Sequence, residues 1–283
     1  MHIARATHTA TLLADGRVLV AGGCSSNGCG GARVAAQAEL YDPARGHFVP
    51  GPVMTAPRLG HTATALADGR VLIVGGWPEE NRAPQRTAEI FDPPRGAFAA
   101  ADPMTVRRGG HTATRLRDGR VLVAGGIDGG RALSTVEVYD PATDSWLVAP
   151  GRLAAPTYKL AVAAVPGGAL VIGGQTADDE AARLASTAVF SLATGRFRPG
   201  ATMAEPRYKI SDAVVRLPDG RLAVAGGFGV EVYASGRFTR AANGRVERQF
   251  PAAVELGDGR VLVTGGYDNS TRVTATTLLT DVF

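Results

Sequence analysis

The chain of 283 residues carries a formal net charge of +4, is 45% apolar and 20% charged, and holds 37 glycines and 17 prolines. That balance excludes a disordered chain, and no stretch approaches the length of apolar sequence that a membrane-spanning helix needs. No run of Lys and Arg marks a nucleic-acid track, and no basic segment followed by an apolar one marks a secretion signal, which leaves a cytoplasmic and a secreted or periplasmic location both open.

In chain order, one phrase recurs. A Gly-Gly pair closes a short apolar strand at Gly22-Gly23, Gly75-Gly76, Gly125-Gly126, Gly173-Gly174, Gly226-Gly227 and Gly265-Gly266. In five of the six units Asp-Gly-Arg stands before that strand, as at Asp68-Gly69-Arg70. A period of roughly 50 residues carrying several strands each is the mark of a repeat architecture. The second unit shows the plan. His61 to Leu66 alternates and is built of small residues, Asp68-Gly69 supplies a hairpin turn, and Val71 to Val74 is apolar on both faces. After the glycines come a loop, a third strand ending Glu89-Ile90-Phe91-Asp92-Pro93, a turn, and a short fourth strand around Phe98. Pro103-Met104-Thr105-Val106-Arg107-Arg108 then crosses to the next unit.

Side-chain size follows strand order. Thr and Ala fill the first strands, while third and fourth strands carry Tyr41/Phe48, Phe91/Phe98, Tyr139/Trp146, Phe190/Phe197 and Tyr233/Phe238. Sheets standing radially are crowded at the axis and splay outward, so small residues belong inside and aromatics fill the wedges. Gly-Gly after an apolar strand, aromatic-Asp-Pro on the third strand, and Pro-Met-x-x-x-Arg before His-Thr-Ala-Thr resemble the kelch repeats of bacterial propeller proteins over essentially the whole chain. The resemblance implies an all-β fold, a six-bladed β-propeller of kelch repeats forming a single domain over 1–283. Six units supply third strands, the sixth at about Thr274 to Leu279, but only five supply a fourth, and the chain ends at Val282-Phe283. The last blade is therefore expected to lack a full outer strand, an edge open to pairing.

The long irregular segments, Cys24 to Ala35, Trp77 to Arg86, Ile127 to Leu133 and Gln175 to Leu184, all follow Gly-Gly and share one face, where binding is commonly placed. Cys24 and Cys29 are a poor zinc pair and read as a local disulfide or two free thiols. Each crossover brings a cation to an inner strand: Arg5, Arg58, Arg107/Arg108, Lys159, Arg207/Lys209 and Arg248. These read either as a collar that favours an anion or, with His8, His61 and His111, as parts of the repeat that cap strand ends. The fourth to sixth units depart from His-Thr-Ala-Thr. They place Tyr158-Lys159, Tyr208-Lys209 and Gln249-Phe250 there, and the residues after Gly-Gly include the aromatics Trp77, Phe228 and Tyr267.

The sequence thus reads as a non-catalytic propeller that binds an acidic or polar small molecule, or a protein segment, through Arg58, Arg108, Tyr158, Lys159, Tyr208, Lys209, Arg248, Trp77, Phe228 and Tyr267. Neither nucleic acid nor a membrane is an expected partner. The alternative is a cofactor-independent isomerase or cyclase of the mutarotase or epimerase kind, with Asp212, Tyr208, Lys209 and Glu205 as its acid–base groups and Glu247 and Arg248 nearby. No hydrolase elbow, His-Glu-x-x-His or phosphate loop is present. The resemblance to the galactose-oxidase branch of kelch propellers is limited to the ring, so neither metal nor other cofactor is expected.

Overall fold

The computed structural model describes residues 1–25, 29, 33–79, 82–268 and 277–281. Parts of the predicted loops after Gly23 and Gly76, residues 274–276 of the sixth third strand, and the end at 282–283 lie outside the described residues. Two compact units divide the chain, Met1–Ala149 and Pro150–Phe283.

The first unit holds three antiparallel meanders of four strands each. They are Thr9–Leu12, Val18–Ala21, Gln37–Asp42 and His47–Val53; Thr62–Ala65, Val71–Val74, Ala88–Asp92 and Ala97–Ala101; and Thr112–Arg115, Val121–Ala124, Val136–Asp140 and Ser145–Val148. Each second strand is buried almost end to end, as its doubly apolar sequence requires. The Asp-Gly turns form as read: Gly69 has φ +89°, and the Asp68 carboxylate accepts from the Arg70 N–H at 3.0 Å. The aromatic pairs meet across the two outer strands, with centroids 5.1 Å apart for Phe91–Phe98 and 5.0 Å for Tyr139–Trp146.

The second unit begins with a meander of the same kind: Ala161–Val165, Gly168–Ile172, Thr187–Ser191 and Arg196–Pro199. The fifth blade departs from the plan. Its strands are Val214–Arg216, Leu222–Ala234 and Arg237–Arg248, so the expected second and third strands run on through Gly226 and Gly227. Only Phe228 and Gly229 separate the glycines from the third-strand sequence, too few for a loop. The expected short fourth strand around Phe238 is instead 12 residues long and delivers Glu247 and Arg248 straight to the sixth blade without a Pro-Met crossover. That last blade has three strands among the described residues, Ala252–Glu255, Arg260–Thr264 and Leu278–Asp281, and lacks the outer one.

One device recurs at the Gly-Gly end of the blades. The first glycine's carbonyl accepts from the crossover arginine: Gly22 from Arg5 at 2.8 Å, Gly75 from Arg58 at 2.9 Å, Gly125 from Arg108 at 2.7 Å, Gly265 from Arg248 at 3.0 Å, and Gly226 from Arg207. The guanidinium also meets a buried glutamate on the third strand: Arg58–Glu89 at 2.7 Å, and Arg108–Glu137 and Arg207–Glu231 both at 2.8 Å. The second glycine's N–H donates to the arginine carbonyl of the following blade, Gly23 to Arg58 at 2.8 Å and Gly76 to Arg108 at 2.9 Å. Blades meet so closely here that a Cβ on Gly75 would stand 2.5 Å from the Arg108 carbonyl oxygen, which no side chain tolerates. The fourth repeat has lost both halves of the latch, with Thr157 in place of the arginine and Ala188 in place of the glutamate.

The repeat histidines tie inner strands together. His61 bonds the Thr9 hydroxyl and His111 the Thr62 hydroxyl, both at 3.0 Å. Burial, then the nearby Arg58 charge, pushes His61 down to about 3, and burial beside Arg108 lowers His111 well below the ordinary imidazole range. Both are neutral when folded and gain a proton on unfolding, so their contribution is complete above the unfolded pKa near 6.5 and drains away below it. Stability is expected to fall as pH drops below about 6.5, through both histidines, and for His61 the loss continues toward its folded pKa of about 3. Urea titrations at pH 7.5 and 5 would show it, with a shallower slope for His61→Asn.

Candidate functional site

The crossover cations divide into two sets. Arg58 and Arg108 are fully buried and Arg248 is 7% exposed. The expectation that these three line a basic collar is corrected: glycine carbonyls take up all three, and third-strand glutamates also hold Arg58 and Arg108, inside the blades. Trp77 is also spoken for. It lies against the bare backbone of Gly60 and Gly109, where an added Cβ would come within 2.7 and 2.6 Å of the indole. It packs as well against the cluster of Leu59 and the disulfide-bonded Cys24 and Cys29.

Two residues beyond each crossover position, the chain enters the left-handed region in every repeat. The residues there are Thr7, Gly60 and Gly110 in the first unit, and Lys159, Lys209 and Phe250 in the second, all with φ between 54° and 58°. In the second unit these positions join blade to blade through the backbone: the Lys209 N–H donates to the Lys159 carbonyl at 2.8 Å and the Phe250 N–H to the Lys209 carbonyl at 3.0 Å. Glycine adopts this conformation freely, whereas a side chain costs about 1–2 kcal/mol. Two sister repeats use glycine; the fourth and fifth use lysine.

Around the two lysines the second unit gathers a polar cluster. Tyr158 donates to Asp178 at 2.8 Å and accepts from Gln175 at 2.6 Å, while Lys159 lies 3.6 Å from Asp178. Tyr208 donates to Gln249 and accepts from Arg183 at 3.1 Å; a second Arg183 nitrogen holds Glu247 at 3.1 Å. The Lys209 ammonium donates to the Tyr267 hydroxyl and lies 5.0, 4.9 and 4.9 Å from the ring centres of Tyr208, Phe250 and Tyr267. Phe228 and Phe250 are each 48% exposed.

The charges here are perturbed in ways that suit proton transfer. Burial raises the Glu247 carboxyl, assisted by Glu180, Glu205 and Asp268 and opposed by Arg183. Burial lowers both lysines, and for Lys159 the neighbouring Lys209 charge adds to it. Burial and the bond to Asp178 push Tyr158 up to about 12, and that bond in turn lowers Asp178.

Of the expected residues, the structure brings Tyr158, Lys159, Tyr208, Lys209 and Tyr267 into this cluster. Glu205 is engaged to one side, by Arg240 at 2.5 Å and the Phe228 N–H at 3.1 Å. Asp212 is exposed at the entry to the fifth inner strand, its carbonyl accepting from Ala253 at 2.9 Å. Glu247, by contrast, is the carboxylate joined to Tyr208 through Arg183. Asp178 and Arg183 do not stand out in the sequence because they come from the irregular loop after Gly174, which a one-turn 3-10 helix capped by Asp179 shapes.

Lys159→Gly and Lys209→Gly are expected to leave stability within about 1 kcal/mol of the parent, since relief of the left-handed strain offsets the lost contacts. Chemical denaturation would check this; a loss of several kcal/mol would make the lysines structural.

The Kelch motif family matches residues 107–151. No curated protein matches the chain. Among solved structures, "Structure of YjhT" aligns with a TM-score of 0.73 at 13% identity over 99% of this chain and 95% of that one. A fungal alcohol oxidase of the AA5 family in complex with copper aligns with a TM-score of 0.59 at 16% identity over 94% and 70%. At these identities the likeness shows the fold. Copper does not suit the donors of the cluster: all five histidines precede residue 112, both cysteines are bonded to each other, and no group of three metal-binding side chains occurs among the described residues.

Proposed function

Taking the chain as a six-bladed β-propeller built of kelch-type repeats, we propose that it is a cofactor-independent isomerase. It would open and reclose, or epimerise, a small polyhydroxylated carbonyl compound at the Gly-Gly end of the fourth to sixth blades. The carrying observation is the Glu247–Arg183–Tyr208 chain with Lys209 lying over the same tyrosine ring. A raised carboxylate and a lowered ammonium around one phenol supply a base and an acid near neutral pH. Ionised Glu247 takes the proton of the anomeric hydroxyl as the ring C–O bond breaks. The Lys209 ammonium gives one to the departing ring oxygen, and reclosure on the other face reverses both transfers. Exposed Phe228 and Phe250 offer apolar surfaces for the C–H face of such a substrate.

The non-catalytic binding reading uses the same cluster, without Arg58 and Arg108, which are buried against third-strand glutamates. Exchange NMR across a panel of reducing sugars, acidic ones included, separates the two. An isomerase speeds anomer exchange of its substrate, and Tyr208→Phe reduces that acceleration. A binder broadens ligand resonances while leaving exchange at its uncatalysed rate.

A further inference from the structure

Of the 30 Lys and Arg residues only two are lysines, Lys159 and Lys209. Both occupy the left-handed position, in consecutive blades, joined by the backbone bond between them. Everywhere else the chain supplies positive charge with arginine. At this one place it uses the cation that can become a nucleophile, because a guanidinium stays protonated and an ammonium does not.

The surroundings of the two amines differ. Lys159 has a carboxylate partner in Asp178 at 3.6 Å. Lys209 has no carboxylate within ion-pair distance among the described residues. Its nitrogen meets the Tyr267 hydroxyl and the faces of Tyr208, Phe250 and Tyr267; burial lowers its pKa, the more distant Asp178 carboxylate opposes that, and the Arg183 charge adds to it. A lysine desolvated among apolar walls with a cation nearby is an activated amine. The three rings oppose this by favouring the ammonium, yet they favour a protonated imine too, since that cation is larger and less hydrated.

We infer that Lys209 is an imine-forming lysine, which condenses with a small aldehyde or ketone bearing an anionic group that Lys159 attracts. The inference stands apart from the isomerase reading, which needs Lys209 only as an acid. The free amine of Lys209 adds to the carbonyl carbon to give a carbinolamine. Tyr267 is placed to pass a proton to the carbinolamine hydroxyl, which leaves as water, and the nitrogen lone pair forms the C=N bond. No oxidant or reductant is consumed.

The test uses glyoxylate as the probe and cyanoborohydride to fix the imine as a secondary amine, followed by intact mass and peptide mapping. With two lysines and one N-terminus, the adducts are few enough to assign. The expected result is one adduct at Lys209, formed at least tenfold faster than at Lys159 or the N-terminus, and absent from folded Lys209→Arg. Lys159→Arg should still be labelled at Lys209, whereas Lys159→Gly should be labelled more slowly. Equal labelling of all three amines, or faster labelling at Lys159, would overturn the assignment. Failure of sugar exchange alongside Lys209 labelling would count against the isomerase reading alone.

Discussion

Arg108→Ala is expected to destabilise the protein by about 3–5 kcal/mol, measured by denaturant unfolding. The guanidinium is fully buried and donates to Gly125, Thr135 and Glu137. Removing it leaves the buried Glu137 carboxylate without its counter-charge and strips the Gly125 carbonyl of a donor. The double change Arg108→Thr with Glu137→Ala copies what the fourth repeat carries at Thr157 and Ala188. It is expected to cost less than Arg108→Ala alone, because no orphaned charge remains. A double variant as damaged as the single one would mean that the glycine carbonyl, not the ion pair, is what the arginine serves.

The second large effect is on chemistry. Glu247→Gln is expected to lower catalysed exchange by about 10²–10⁴-fold, the span a positioned general base contributes. The amide is nearly isosteric and retains an oxygen for Arg183, so the fold is undisturbed. In the parent, exchange needs Glu247 ionised and Lys209 protonated. The rate should therefore fall as pH drops through a carboxyl pKa that burial has raised above 4.5, and fall again as pH climbs through an ammonium pKa that burial has lowered below 10.5. In Glu247→Gln the acid limb should vanish while the alkaline limb persists.

The fold was legible in the sequence because its causes are local and repeated. Asp-Gly demands a positive φ, the aromatic pairs demand a wedge, and Gly-Gly demands close backbone approach; each recurs often enough to be read by comparing repeats. The same comparison left two readings open for the arginines, an anion-favouring collar and a cap on the strand ends. A recurring cation suits either, and its partner, a glutamate some 30 residues on in the third strand, makes it a latch. That partner was visible as Glu39, Glu89, Glu137 and Glu231, together with its joint loss in the fourth repeat. The site itself was legible in part, since Tyr158-Lys159 and Tyr208-Lys209 announce themselves by breaking the pattern. Arg183 and Asp178 do not, because an irregular loop has no sibling to be compared with. Glu247 was legible as a carboxylate near Tyr208 and Lys209, but not the strand that carries it there, which runs 12 residues in place of the crossover that the other repeats lead one to expect.

Two classes of charge stand near the Gly-Gly ends: latches that hold the fold, and Glu247 and Lys209, to which the isomerase proposal assigns the chemistry. Melting temperature and catalysed exchange rate, recorded on the same samples of the parent and Glu247→Gln, test that separation most directly. The predicted result is a melting temperature within about 2 °C of the parent and exchange reduced to near the uncatalysed rate. Full exchange in Glu247→Gln, or a loss of exchange that only follows a loss of folded protein, would contradict it.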